Sequence, residues 1–383
     1  MSSYDVLVAG GGIVGMTAAL DLAREGRSVV VVDEGRHSGT TANAGSLHIQ
    51  MQSRFIRMYP EQVADLERSL PLYPAGAARW RELEAELGVD MEIKASGGLM
   101  VADDAEQFAV LADKCARERR LGLDVHMLER AELARIAPYL CDSVHGAELC
   151  VEEGKLNPLK ANEAVRKALQ ALGVKRFDEA VVTALAPDGL GLAAKLSQHG
   201  MTHNLTVGQA ILAAGSGTGQ LAGMLGIRIP TVAEPLHVNV TEATAPLIGH
   251  LVQHAERMIT MKQLGAGQVV IGGGWPARFT GPDEFPAVDP ASMIGNLSLA
   301  QQIVPRLGSL RVIRTWAGVN TTTDGQCVLG RLPGHDNVFA AVPGDAGYTL
   351  GPLVGRMAAA LAMGMDPGHD VARFTPARFA TRA

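Results

Sequence analysis

None of the four cysteines (Cys115, Cys141, Cys150, Cys327) belongs to a C-x-x-C pair. That spacing argues against a zinc site, and we expect no metal; the thiols read as core residues in a reducing cytosol. Positive charge is not in excess either: 34 Lys and Arg stand against 40 Asp and Glu, a formal net charge of -6. There is thus no cationic footprint for nucleic acid and no polybasic patch for a membrane surface. No apolar run reaches the roughly 18 residues of a membrane span. The apolar N-terminus is not expected to be a signal peptide, because Asp5 interrupts it and no basic region precedes it. Repeats and low-complexity linkers are absent as well. What remains is a globular chain expected in the cytoplasm with a small-molecule partner; its 383 residues, 47% hydrophobic, suffice for about two domains.

The most informative stretch lies in that same N-terminal region. Val6–Ala9 fits a short buried strand, and Gly10, Gly12 and Gly15 follow at G-x-G-x-x-G spacing. The first glycine permits a tight turn, the second lets the main chain approach a pyrophosphate, and the third allows a helix to lie close on the strand. Ile13 and Val14 open that helix, which runs to Glu25 and stops at Gly26. Its N-terminus is suited to phosphate. The second strand, Val29–Asp33, ends in an acid at about the offset where a carboxylate grips a ribose hydroxyl, with Glu34 beside it. Together these features imply a bound dinucleotide.

Beyond Asp33 the simple alternation of strand and helix breaks off. Residues 35–57 are rich in Gly and Thr and lack periodicity; 60–87 reads as helix interrupted near Pro71 and Pro74. Met91–Val101 reads as strand, Ala105–Leu121 as helix, and Asn157-Pro158 opens a further helix to Gly173. Val181–Leu185 looks like a return strand of the nucleotide-binding part, and Val207–Ala214 is a strand running into Gly215. From Pro230 to Gly274 short alternating runs predict sheet. A small-residue-rich helix, Leu353–Met363, follows the glycine-rich element Gly344–Pro352. The order predicts an α/β protein in which a discontinuous nucleotide domain is interleaved with a largely β substrate domain.

Several separated motifs resemble one family, the FAD-dependent oxidoreductases of the D-amino acid oxidase, glycine oxidase and sarcosine oxidase superfamily. They are the N-terminal fingerprint with Asp33; Thr40-Thr41-Ala-Asn43-Ala44-Gly45; Asn157-Pro158; Leu212-Ala-Ala214-Gly215; Val269–Gly274; Arg314-Thr-Trp-Ala-Gly318 with Thr323-Asp-Gly325; and Gly344-Asp-Ala-Gly347-Tyr348-Thr349-Leu-Gly-Pro352. Length and the Met261–Gly274 strand pair look closest to the flavoprotein (beta) subunits of opine, proline or hydroxyproline dehydrogenases. The resemblance implies a Rossmann-type, glutathione reductase-like FAD fold. The FAD-binding domain would comprise 1–85, 150–225 and 320–383, and a mainly antiparallel substrate domain 86–149 and 226–319. It further implies FAD held by Gly10, Gly12, Ile13, Val14, Gly15, Asp33, Glu34, Thr40, Thr41, Asn43, Ala44 and Gly45. Val181 and Val182 would meet adenine. Ala214, Gly215, Gly318, Gly344, Gly347, Tyr348 and Thr349 would lie near the flavin, with the last helix's positive end favouring the reduced, anionic ring.

The reaction implied is oxidation of the carbon next to an amine, leaving an imine; 2-hydroxy acid oxidation and a flavin-holding subunit with its chemistry on a partner are the alternatives. Here the chain departs from the family pattern. Many members place an arginine after Trp-Ala-Gly to clamp a substrate carboxylate, whereas this chain reads Val319-Asn-Thr-Thr-Thr323. His48, Arg54 and Lys262 are therefore the candidate substrate-binding groups, with Tyr348 as a further positioning candidate. Oxygen-using sarcosine oxidases hold a lysine against the flavin. The corresponding strand, Val269-Val270-Ile271, is apolar, so oxygen is expected to be a poor acceptor and a partner subunit the electron sink.

Overall fold

The computed structural model describes residues 2–36, 38–281 and 284–380. Two eight-stranded sheets dominate it. The first is ordered Val328–Leu332, His335–Val342, Met201–Leu212, Ser2–Ala9, Val29–Asp33, Lys175–Asp178; its first pairing is antiparallel and the other four along this order are parallel. Val29 to Val32 are at most 4% exposed, as expected of a strand covered on both faces. Each such side chain contributes roughly 1.5–3 kcal/mol of burial. Helices Ile13–Arg24, Pro158–Ala171, Leu72–Leu87 and Gly347–Ala362 form the core on one face. An antiparallel meander, Ala180–Asp188 and Gly191–Gln198, extends from Met201–Leu212 and helps cover the other. The expected return strand is thus a pair of elements. Lys175–Asp178 continues the parallel ladder, and Glu179, at φ 54, turns the chain so that Val181 and Val182 leave it for the meander.

The second sheet runs Val312–Thr322, Val232–Ala243, Gln268–Gly272, Thr260–Gln263, Leu251–His254, Gly98–Ala102, Gly146–Cys150, Val125–Glu129. All its pairings are antiparallel except Leu251–His254 with Gly98–Ala102. Helix Pro290–Ile303 packs on one face and Ala105–Arg120 on the other. Side-chain caps start three helices: Asp104 accepts from Gln107 N at 2.8 Å, Asn157 from Leu159 N at 3.1 Å and Asp289 from Ala291 N at 2.9 Å, each worth about 1 kcal/mol. A two-stranded ladder, Ser46–Leu47 with Gly154–Lys155, lies between the large sheets.

The last long helix begins at Gly347, six residues before the expected Leu353, and passes through Pro352. Proline removes the donor that would reach the carbonyl of Tyr348, four residues back. The indole Nε1 of Trp80 donates to that carbonyl instead, at 2.8 Å. A neighbouring helix thereby supplies the missing hydrogen bond, and the helix continues.

Candidate active site

A continuous cavity of about 1990 Å³ runs from the fingerprint, between the two sheets, to the segment after Ser46. It is about twice the upper end of the roughly 300–1,000 Å³ usual for one ligand. At its first end the main chain forms the wall. Gly10 adopts φ +117, and a Cβ there would stand 2.2 Å from the Ala213 carbonyl oxygen. A Cβ on Gly15 would stand 1.9 Å from Gly10 O, so the helix can lie on the turn only without one. The residue before helix Ile13–Arg24, Gly12, has no side chain to cap it; Thr40 Oγ1, from a distant loop, accepts from Ile13 N at 2.8 Å. The N–H groups of Gly11 and Gly12 have no acceptor among the described residues. Unspent donors at a helix N-terminus suit a pyrophosphate, and Asp33 and Glu34 line the wall beside them. These residues fit a dinucleotide.

At the other end the wall is built from side chains. Lys262 is 1% exposed, and its ammonium donates to Ser46 Oγ at 2.5 Å. No carboxylate lies within ion-pair distance of it among the described residues. Burial, then the charge of Lys155, lowers its pKa to about 7. His48 is pushed to about 4 by burial and then by Lys262, against a side-chain hydrogen bond with Gln253 that raises it. Its Nδ1 is buried without a partner among the described residues, and its backbone N–H donates to Thr349 Oγ1 at 3.0 Å, tying this segment to the last helix. Arg54, in the short helix Ser53–Met58, is half-buried, lines the cavity and has no ion pair or hydrogen bond among the described residues. The chamber therefore presents an arginine, a lysine poised near neutral pH and a neutral imidazole.

Of the residues expected near the cofactor, Gly10, Gly12, Ile13, Val14, Asp33, Glu34, Thr40, Asn43, Ala44, Val181, Val182, Ala214, Gly215, Gly318, Gly344, Gly347, Tyr348 and Thr349 line the cavity. Three expected contacts stand back from it. Gly15 lies beneath the turn, Thr41 is exposed with its N–H on Ser38 Oγ, and Gly45 packs against Leu156 and Pro158. The expectation for Tyr348 also needs correction. Its hydroxyl donates to Asn162 Oδ1 at 2.9 Å and its ring lies 5.0 Å from Trp80, so it anchors the helix inside the core. Nor is the neighbourhood of Val270 apolar: Lys262 is its direct cross-strand partner and lines the cavity.

Reading the sequence missed Gln50, Gln253, Glu153 and Asp345. The first two line the chamber, and Glu153 lies fully buried behind them. Asp345 is open to the cavity without a hydrogen-bond partner among the described residues, and desolvation by the concave wall, then Glu234, raises its pKa to about 6. Asp345 sits inside a motif already singled out and was readable as an acid in a glycine turn. No local signal marks the other three.

A family profile described as DAO, FAD dependent oxidoreductase, matches residues 5–361. Among curated proteins the chain is similar to the hydrogen cyanide synthase subunit HcnC of Pseudomonas aeruginosa, 27% identical over 83% of this chain and 82% of that one. It is likewise similar to the sarcosine oxidase subunit beta of Rhizobium meliloti, 24% identical over 98% of this chain and 86% of that one. The crystal structure of glycine oxidase from Geobacillus kaustophilus shares the fold with a TM-score of 0.84 at 21% identity, covering 100% of both chains.

Proposed function

This chain belongs to the DAO family of FAD-dependent oxidoreductases, and on that premise we propose that it oxidises the C–N bond of an amino acid, imino acid or N-substituted amino acid to an imine. FAD, when bound, would supply the acceptor for the hydride equivalent that leaves the carbon beside nitrogen. One observation carries the reading: the chamber pairs cations that lack a carboxylate partner with an imidazole held neutral. A substrate carboxylate supplies Lys262 with the counter-ion it lacks and stabilises its charged form. Arg54, unpaired at the wall, offers a second, fork-shaped set of donors. His48, a neutral imidazole in the chamber wall, offers a hydrogen bond beside the substrate nitrogen; with its pKa pushed to about 4, it does not take the proton, and the substrate reacts as its neutral amine. These cations replace the arginine missing after Gly318.

The names of two relatives describe subunits, which supports an electron-accepting partner subunit for this chain. We assign 1–85, 150–225 and 320–383 to FAD binding and 86–149 and 226–319 to the substrate domain; within these bounds Met1, His37, 282–283 and 381–383 lie outside the described residues. Among the described residues no helix is long and apolar enough to cross a membrane.

The test is anaerobic bleaching of the FAD-loaded chain by amino acids, N-alkyl amino acids, opines and 2-hydroxy acids. Reduction by members of the first three groups is the expected result. Reduction by hydroxy acids alone overturns it, and no reduction by any of them points to a flavin-holding subunit. Reoxidation faster by a phenazine dye than by air is expected if a partner takes the electrons; rapid reoxidation by air with stoichiometric peroxide removes the reason for a partner.

A further inference from the structure

Three consecutive backbone amides follow His48, and none of them bonds to backbone. Ile49 N and Gln50 N donate to Glu153 Oε1 at 2.7 and 3.0 Å, and Met51 N donates to Glu118 Oε1 at 2.5 Å. The second oxygen of Glu153 accepts from Gln50 Nε2 at 2.7 Å and Gln253 Nε2 at 2.9 Å. Lys114 closes the network, donating to Gln50 Oε1 at 3.1 Å, Glu118 Oε2 at 2.9 Å and Glu148 Oε2 at 2.6 Å. No member is more than 3% exposed.

The elements joined are far apart in sequence. Glu153 precedes the small ladder Gly154–Lys155, whose partner strand Ser46–Leu47 leads directly into His48. Gln253 belongs to the second sheet, where it meets the His48 ring and accepts from Gln52 Nε2 at 2.8 Å. A carboxylate with all its acceptor sites used by neutral donors from two segments fixes their relative placement. An apolar residue would leave four buried donors unsatisfied.

We propose that Glu153 is a positioning residue for the reaction: by clamping the Ile49–Gln50 backbone to Gln253 it sets the orientation of His48 toward the substrate. This rests on the reading of His48 given above. Glu153→Gln keeps the shape but puts an amide NH2, a donor, where Oε2 accepted from the side-chain amides of Gln50 and Gln253. Gln50 and Gln253 can then satisfy it only by flipping, which breaks their bonds to Lys114 and Gln52.

The test uses the FAD-loaded chain labelled at the histidine ring carbons, with the His48 resonance assigned by its loss in His48→Gln. In Glu153→Gln that resonance is expected to move while FAD content stays at the parent level. With the amino acid that reduces the parent fastest, the half-saturating concentration is expected to rise about tenfold or more while the limiting rate changes less. Gln253→Met leaves the backbone bonds in place and is expected to move the same resonance, which keeps the proposal open to refutation if Glu153→Gln does not fold. An unmoved His48 resonance in either folded variant overturns the proposal, as does parallel loss of FAD and limiting rate. The resonance reads the clamp even if no amino acid reduces the parent, so the two proposals fail separately.

Discussion

At the dinucleotide end of the cavity the wall is mostly main chain, whereas at the chamber end it is made of side chains that ionise. The first end works through close approach: Gly10 against Ala213, Gly15 against Gly10, and amides left unpaired at a helix N-terminus. The second works through charge held out of water, with Lys262 facing a hydroxyl and Glu153 surrounded by neutral donors. Damage to the first should therefore be steric and take the cofactor or the fold with it. Damage to the second should be electrostatic and leave the fold largely standing.

The largest effect expected is at the first end. Gly10→Val meets backbone on the neighbouring strand turn and is expected to abolish soluble, folded protein. At Gly12 an added Cβ meets only Thr40, nearest at Oγ1, 3.0 Å, so Gly12→Leu should keep the fold while occupying the pyrophosphate cradle. Flavin absorbance and thermal unfolding measured together separate the two; equal loss of fold in both would break the steric argument.

Lys262→Met comes next. Loss of the buried cation is expected to lower kcat/KM for a carboxylate substrate by about 100-fold or more, as when one partner of a buried charge pair is removed, at 2–5 kcal/mol. The substrate-free protein should by contrast gain roughly 1–3 kcal/mol of stability, because an ion lacking a counter-ion leaves the interior. The sign with pH follows from the lowered pKa. Between about 7 and the ordinary 10.5 the unfolded state binds the proton and the folded state does not, so this lysine's contribution is fully present above 10.5 and lost as pH falls through about 7. Denaturant titrations across that range should show the stability gap between variant and parent widest below pH 7 and closing toward pH 10.5. A gap independent of pH would mean that the ammonium is not desolvated.

Asp33→Ala is expected to weaken FAD retention by roughly 1.5–3 kcal/mol, the worth of a charge-assisted hydrogen bond, measured as flavin release on dilution. Arg54→Ala should raise KM about fivefold with FAD content unchanged, since a half-exposed cation is partly screened; an unchanged KM would leave Lys262 as the sole clamp. The smallest effect is at Tyr348. Tyr348→Phe loses the bond to Asn162 and should cost about 0.5–1.5 kcal/mol of stability without changing KM. A KM change there would return the tyrosine to the substrate side.

How much could be read in advance follows the same division. The fingerprint, the strand Val29–Asp33 and the Asn157-Pro158 helix start were legible because their causes are local: a glycine at a required turn, a cap before a proline, a run of valines between two covered faces. The last helix was placed too late because Pro352 normally stops a helix, and the bond that lets it continue comes from Trp80, in a helix more than 250 residues away. The hydroxyl of Tyr348 was not readable for a related reason: adjacency to a glycine motif locates a backbone at the cavity, not the direction of a ring, and this one reaches Asn162. The apolar strand Val269–Ile271 concealed a cation because a residue's neighbour in a sheet is set by register, and Lys262 faces Val270 across the ladder.

By itself the sequence determined the glycine fingerprint with its acid, the interleaving of two sheet-forming halves and the lack of an arginine after Gly318, because each is carried by residue type and spacing along one stretch of chain. Only the tertiary structure decided which groups meet in the chamber and which lie behind them. Lys262, His48 and Arg54 come to one chamber, and Glu153 with Gln253 to its back wall, through strand pairing and burial. The shifts that matter there are absent from residue identity: a lysine brought near neutral pH and an imidazole held neutral owe those states to low dielectric and to charges folded beside them.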